Sequence, residues 1–252
     1  MDLNIAGKRA VVICGSAGLG LAVCERLAAE GVNLVVFARD PANLAKARDQ
    51  LQRAYKVQVE TVAGDITSEA DVDRLAGVAA EGGGSQILVL NTPRPPSPLR
   101  DFLDENDNAR WDQAHQRQLH GALLVLRKVT PLLLGTGWGR IVAITSASIK
   151  QPMPKHALST IYRAGVQAAL KHLAMELAPK GVTVNSVAPA VVVTPNWNIT
   201  HNIEARVQTV PMKRAGTPEE VAAAVAFFAS DLAGFISGDT LQLDGGQTLS
   251  LV

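Results

Sequence analysis

Residues 11–20 read Val11-Val12-Ile13-Cys14-Gly15-Ser16-Ala17-Gly18-Leu19-Gly20. An uncharged, β-branched run enters a glycine-rich turn, and from Leu19 onward the apolar residues recur with helical spacing as far as Glu30. Glycines let a backbone bend sharply and come close to a pyrophosphate, while the N-terminus of the following helix offers amide donors and the positive end of its dipole. The stretch therefore reads as a buried strand, a phosphate-binding turn and a helix, with Gly15, Ser16, Gly18, Leu19 and Gly20 as the candidate phosphate-contacting residues.

Working outward, short continuous apolar runs alternate with segments of helical periodicity, the pattern of βαβ units around a parallel sheet covered on both faces. Strands are expected at Arg9–Cys14, Asn33–Ala38, Val57–Ala63, Ile87–Asn91, Gly139–Thr145, Thr183–Ala188 and Thr240–Leu243, and helices at Leu19–Glu30, Pro41–Tyr55, Glu69–Glu81, Asn108–Leu134, Leu158–Ala178 and Pro218–Ala229. Thr217-Pro218-Glu219-Glu220 places a capping hydroxyl, a proline and two acids at one helix start, and Ala178-Pro179-Lys180-Gly181 closes another. The expected fold is α/β: a Rossmann-type, doubly wound, seven-stranded parallel sheet with helices on both faces, forming a single domain over residues 1–252.

Composition narrows the function classes. Of 252 residues, 47% are hydrophobic and 19% charged, with a formal net charge of +1, so there is ample material for a core and no charge excess calling for nucleic acid. No apolar stretch approaches the roughly 20 residues of a membrane span, and the N-terminal segment has no cleavage pattern, which leads to the expectation of a cytoplasmic protein. Cys14 and Cys24 fall inside the first strand and helix, where small thiols pack, and no Cys/His/acid cluster has metal-ligand spacing.

The second strand ends Val36-Phe37-Ala38-Arg39, about 20 residues past the glycine turn, where an acid would bind the ribose diol of NAD and an arginine would accept the 2′-phosphate of NADP. Arg39 points to NADP(H) as the cofactor. Asp40 is the rival, as a ribose ligand if the strand runs one residue longer.

These features resemble the short-chain dehydrogenase/reductase family, and in particular its 3-oxoacyl-acyl-carrier-protein-reductase-like members, over essentially the whole chain. The landmarks recur in order: the glycine turn, Gly64-Asp65-Ile66, Leu90-Asn91-Thr92-Pro93 where the family writes Asn-Asn-Ala-Gly, Ile144-Thr145-Ser146, Asn185-Ser186-Val187-Ala188-Pro189-Ala190, Thr194, and Asp244-Gly245-Gly246. The resemblance implies that Asp65 and Ile66 flank the adenine, that Asn91 lines the cofactor path, and that the segment Pro189, Val192 and Thr194 meets the nicotinamide amide. It also implies a homo-oligomer, dimer or tetramer, with Leu119, Leu123, Leu124 and Leu126 supplying apolar contact surface.

The departures from the family are chemical. The glycine turn reads as Gly-x2-Gly-x-Gly, one residue shorter than the family's Gly-x3-Gly-x-Gly. Ser146 matches the family serine that steadies the substrate oxygen, but Ser159 stands at the tyrosine position, Arg163 at the lysine position and Gln118 at the asparagine position. A serine hydroxyl has a far higher pKa than a phenol, and an arginine keeps the positive charge without exchanging a proton near neutrality. Tyr162 and the loop residues Lys155 and His156 are the nearest alternative proton donors, His156 being the one suited to pH 7.

Arg94, in the proline-rich exit of the fourth strand, is a candidate to hold an anionic group of the substrate, and Trp197 is a candidate pocket wall within a substrate loop at about residues 190–215. The expected activity is NADPH-dependent reduction of a small-molecule carbonyl or imine; an imine needs less help from an acid. The alternative is a reductase-derived cofactor-binding protein with a regulatory, non-redox or inactive-subunit role.

Overall fold

The computed structural model describes residues 1–194 and 203–251. Its centre is the seven-stranded parallel sheet of β1 (Arg9–Ile13), β2 (Asn33–Ala38), β3 (Val59–Ala63), β4 (Ile87–Asn91), β5 (Gly139–Ile144), β6 (Val182–Pro189) and β7 (Thr240–Leu243), in the order β3-β2-β1-β4-β5-β6-β7. The order reverses between β1 and β4, and in such a sheet the crevice at the carboxyl ends of these two strands is the binding position.

Alternation along each strand separates two cores. Val12, Val36, Val89 and Val142 face one side, where they meet α1 (Gly18–Ala29), α2 (Pro41–Ala54) and α8 (Pro218–Phe228); Val11, Ile13, Val35, Phe37, Leu88, Leu90 and Ile141 face the other, under α3 (Glu69–Ala80), α5 (Gly121–Val129) and α6 (Ala157–Leu177). Being apolar on both faces is why these strands read as continuous runs. The Thr217 cap forms a complete capping box with Glu220 on α8.

The segment expected as one helix over Asn108–Leu134 is divided. It runs as α4 (Asn108–Ala114), a π-helical turn over His115–His120, α5, and a 3-10 turn over Thr130–Leu133 that begins just before Pro131. The apolar spacing continues through the π turn, so nothing in the pattern announces it. Leu124 and Leu126, expected to supply contact surface, are instead buried in this chain's own core, and Leu119 packs against that core. The segment expected as a substrate loop carries the short helix α7 (Ile203–Thr209).

The glycine turn has a physical basis at three points. Gly18 has φ +55°, open to glycine at little cost. A Cβ on Gly20 would fall 2.1 Å from the Cys14 carbonyl oxygen, so α1 lies against the end of β1 as closely as backbone can. A Cβ on Gly15 would meet Val36 at 2.8 Å and Cys24 at 3.0 Å. The Gly20→Ala variant is expected to lose about 2 kcal/mol or more of stability through this overpacking, read as a lower midpoint in urea unfolding with an unchanged slope.

Candidate active site

Carboxyl-terminal strand ends and the loops that follow them enclose a cleft of about 550 Å³. It is lined by Cys14, Ser16, Ala17, Gly18 and Leu19 from the turn, Ala38, Arg39, Asp40 and Asn43 after β2, Gly64, Asp65 and Ile66 after β3, Asn91 to Arg94 after β4, Ile144 and Thr145 from β5, and by Arg163 and Thr194.

At one end, α1 begins after Ala17, which contributes no side-chain cap, so the first amides of the helix are left to the cleft. Thr194 is buried over the turn, 3.8 Å from where a Gly18 Cβ would lie. Gly15 and Gly20 face the protein. Cys14 has φ +54°, a conformation that favours glycine, and it precedes Gly18 and Gly20 at the spacing Cys-x3-Gly-x-Gly. The turn is thus full length, with Cys14 where the family's first glycine stands, which corrects the shorter Gly-x2-Gly-x-Gly reading. Burial pushes the Cys14 thiol up to about 11 against the pull of Arg39, so it is a neutral wall residue.

Asp40 and Arg39 divide their roles. The Asp40 carboxylate accepts from the backbone amides of Ala42 at 2.9 Å and Asn43 at 3.2 Å and from the Asn43 side chain at 2.8 Å, which makes it the N-cap of α2. Arg39 stands exposed on the cleft wall beside it. Asp65 accepts from the amide and hydroxyl of Thr67, and Ile66 lies buried against Gly121, where a Cβ would meet it at 2.7 Å.

At the other end, Arg163, Ser159 and Gln118 form one hydrogen-bonded chain. Arg163 Nη1 donates to Ser159 Oγ at 2.6 Å and to Gln118 Oε1 at 3.2 Å; Gln118 is fully buried in the π turn, and Ser159 is buried one helical turn before Arg163. Burial draws the Arg163 guanidinium down to about 10, with the charge of Arg94 adding to the effect, and it stays protonated at neutral pH. Ser146 caps the 3-10 turn Ala147–Ile149, accepting from the Ser148 amide at 3.2 Å, and its hydroxyl lies 3.0 Å from that of Ser148.

Two alternative acids are placed elsewhere. The Tyr162 hydroxyl donates to the Trp111 carbonyl at 3.2 Å, and its ring packs edge-on against Trp111. His156 stands at the start of α6, its Nδ1–H bonded to the Pro154 carbonyl at 2.7 Å. Pro189 ends β6 beside Leu243, and Val192 bridges to Gly216. Trp197 lies outside the described residues.

A family model described as enoyl-(acyl carrier protein) reductase matches residues 14–248. The chain belongs to the short-chain dehydrogenase/reductase family. Among its relatives is nodulation protein G of Azospirillum brasilense, 35% identical over 245 residues, covering 95% of this chain and 97% of the relative. A 3-oxoacyl-[acyl-carrier-protein] reductase of Staphylococcus epidermidis is 30% identical, covering 95% and 98%. L-sorbose reductase from Gluconobacter frateurii, solved in complex with NADPH and L-sorbose, superimposes with a TM-score of 0.91 at 28% identity over the whole of both chains. This family member is therefore an oxidoreductase by kinship, and no helix among its described residues is long and apolar enough to cross a membrane.

The π turn that buries Gln118 leaves no mark in the sequence pattern, and neither does the clasp of Arg110 on the carbonyl oxygens of Pro96, Ser97 and Pro98. Because Asp40 is occupied as a helix cap, Asp40→Ala is expected to cost about 1 kcal/mol of stability and to leave the ratio of NADPH to NADH affinity within about twofold. Thermal unfolding and parallel titration of the two cofactors check both halves.

Proposed function

We propose that this short-chain dehydrogenase/reductase is an NADPH-dependent reductase of a small-molecule carbonyl or imine. The observation that carries the reading is the division of labour after β2: the only acid there is spent on capping α2, which leaves Arg39 as the side chain available to a 2′-phosphate. The residues fit such a cofactor. Ser16, Gly18 and Leu19 at the helix start would hold its pyrophosphate, with Gly15 and Gly20 shaping the turn; Asp65 and Ile66 would flank the adenine, Asn91 and Arg163 the nicotinamide ribose, and Pro189, Val192 and Thr194 the carboxamide. The NADPH complex of the sorbose reductase relative supports the assignment.

When bound, the cofactor supplies the hydride. The chain's own part is orientation and charge. Ser159 receives a hydrogen bond from Arg163, so its own O–H would hydrogen-bond to a carbonyl oxygen or to the nitrogen of a neutral imine without transferring its proton. Ser146 would steady the same oxygen, Gln118 fixes Arg163 from behind, and the proton that completes the alcohol would be taken up from water at the mouth of the cleft. A fixed cation beside a hydroxyl stabilises the negative charge that develops on a carbonyl oxygen, whereas an imine protonated before it arrives needs no acid from the site.

The replaced tyrosine and lysine favour a second reading, in which the fold binds cofactor without turnover. The test is NADPH oxidation over a panel of ketones, aldehydes and cyclic imines, alongside titration with both cofactors. NADPH is expected to bind at least about tenfold tighter than NADH, with Arg39→Ala removing most of that difference. Imines are expected to turn over faster than ketones; tight binding with no turnover of any panel member selects the second reading. The double variant Ser159→Tyr with Arg163→Lys is expected to raise ketone reduction at least about tenfold, measured as kcat/KM, by restoring a phenolic acid.

A further inference from the structure

The cleft wall opposite the glycine turn gathers positive charge. Arg94, which follows β4, and Arg163, on α6, both line it. Arg206 on α7 feels the charge of Arg94, as Arg163 does, and burial loosens the proton of each of the three. Arg94 is exposed and Arg163 half-buried, and two cations on one wall set up a field that favours an anion in the cleft. Behind Arg163, two buried donors lack an acceptor among the described residues: its own Nε and Gln118 Nε2. The Gln118 amide cannot turn to change this, since its oxygen already accepts from Arg163. What this end of the cleft offers is donors and cations.

Arg94 is also held in place. Its proline-rich segment is clasped by Arg110, which donates to the carbonyl oxygens of Pro96 at 3.3 Å, Ser97 at 3.2 Å and Pro98 at 2.6 Å while forming a two-pronged pair with the buried carboxylate of Glu105 at 2.7 and 2.8 Å. The Asp101 carboxylate ties the same segment to the loop before α6 by accepting from the Lys155 amide at 2.6 Å. A guanidinium on a fixed segment presents a prepared fork for a carboxylate or phosphate.

We propose that the substrate carries an oxyanion, a carboxylate or a phosphate, gripped by Arg94 at the rim of the cleft and drawn in by the charge of Arg163. This rests on the reading of the cleft as a reductase site and names the class of molecule that enters it. The cofactor's own phosphates are the other source of the same chemistry, so the test separates the two.

Oxalate and inorganic phosphate, with acetamide as the neutral control, are titrated calorimetrically into the protein saturated with NADPH. Oxalate or phosphate is expected to bind and acetamide not to; Arg94→Gln is expected to weaken the anion at least about tenfold while changing the NADPH affinity by less than about twofold. Three results overturn the proposal: no binding of either anion, anion binding unchanged in Arg94→Gln, or an equal loss of NADPH affinity in that variant, which assigns Arg94 to the cofactor. If NADPH itself fails to bind, the reductase reading falls, and the same titration without cofactor still decides the anion site. Binding that Arg94→Gln removes and Arg39→Ala spares upholds it; no binding, or loss in Arg39→Ala alone, overturns it.

Discussion

The contact on which this architecture depends is between two backbones: the carbonyl of Cys14 at the end of β1 and the α-carbon of Gly20 in the first turn of α1. No side chain fits between them. Because they touch, α1 starts directly over the carboxyl edge of the sheet, its uncapped amides open toward the crevice at the β1/β4 reversal. Gly18 at φ +55° and Cys14 at φ +54° are the conformational cost of that approach, of order 1 kcal/mol for the residue with a Cβ. The large apolar sheet, buried on both faces, is what outweighs it.

From that edge the chemistry is arranged in a line. Arg39 stands after β2 at one end of the cleft, and Arg163, Ser159 and Gln118 form the hydrogen-bonded group at the other. In the usual family site a phenol and an amine work as a proton-exchanging pair; here a serine and an arginine stand in their places. The change trades acid strength for fixed charge. A guanidinium holds its proton even when burial weakens it, so this group is suited to orienting a partner and stabilising charge rather than to exchanging a proton. The full burial of Gln118 depends on the π turn, which advances the helix locally and sets the amide under Arg163.

The proline-rich exit of β4 is held by specific contacts. Arg110 and Glu105 bind the proline-rich exit of β4 from beneath, and Asp101 links it to the approach to α6. Arg110 holds the Glu105 carboxyl well below the usual carboxylate range, as a charged pair within the protein should. The wall carrying Arg94 is therefore part of the scaffold, and specificity can be built on it.

The sequence by itself determined the layer order, the strands, most of the helices and the positions of the candidate site residues. Those depend on local periodicity, on caps such as Thr217 and on motif spacing, all of which are written in consecutive residues. Tertiary structure decided the rest. The dipeptide Arg39-Asp40 favours an arginine for the cofactor but leaves Asp40 as a rival ligand until the start of α2 claims the carboxylate. The glycine turn looks shortened until Cys14 is seen to take the glycine-like conformation that closure against Gly20 demands. The apolar stripe through Leu124 and Leu126 gives no sign of whether it meets a partner or its own core, and the π turn leaves that stripe unbroken. In each case the deciding energy comes from packing between segments far apart in the chain, and a local pattern carries no record of it.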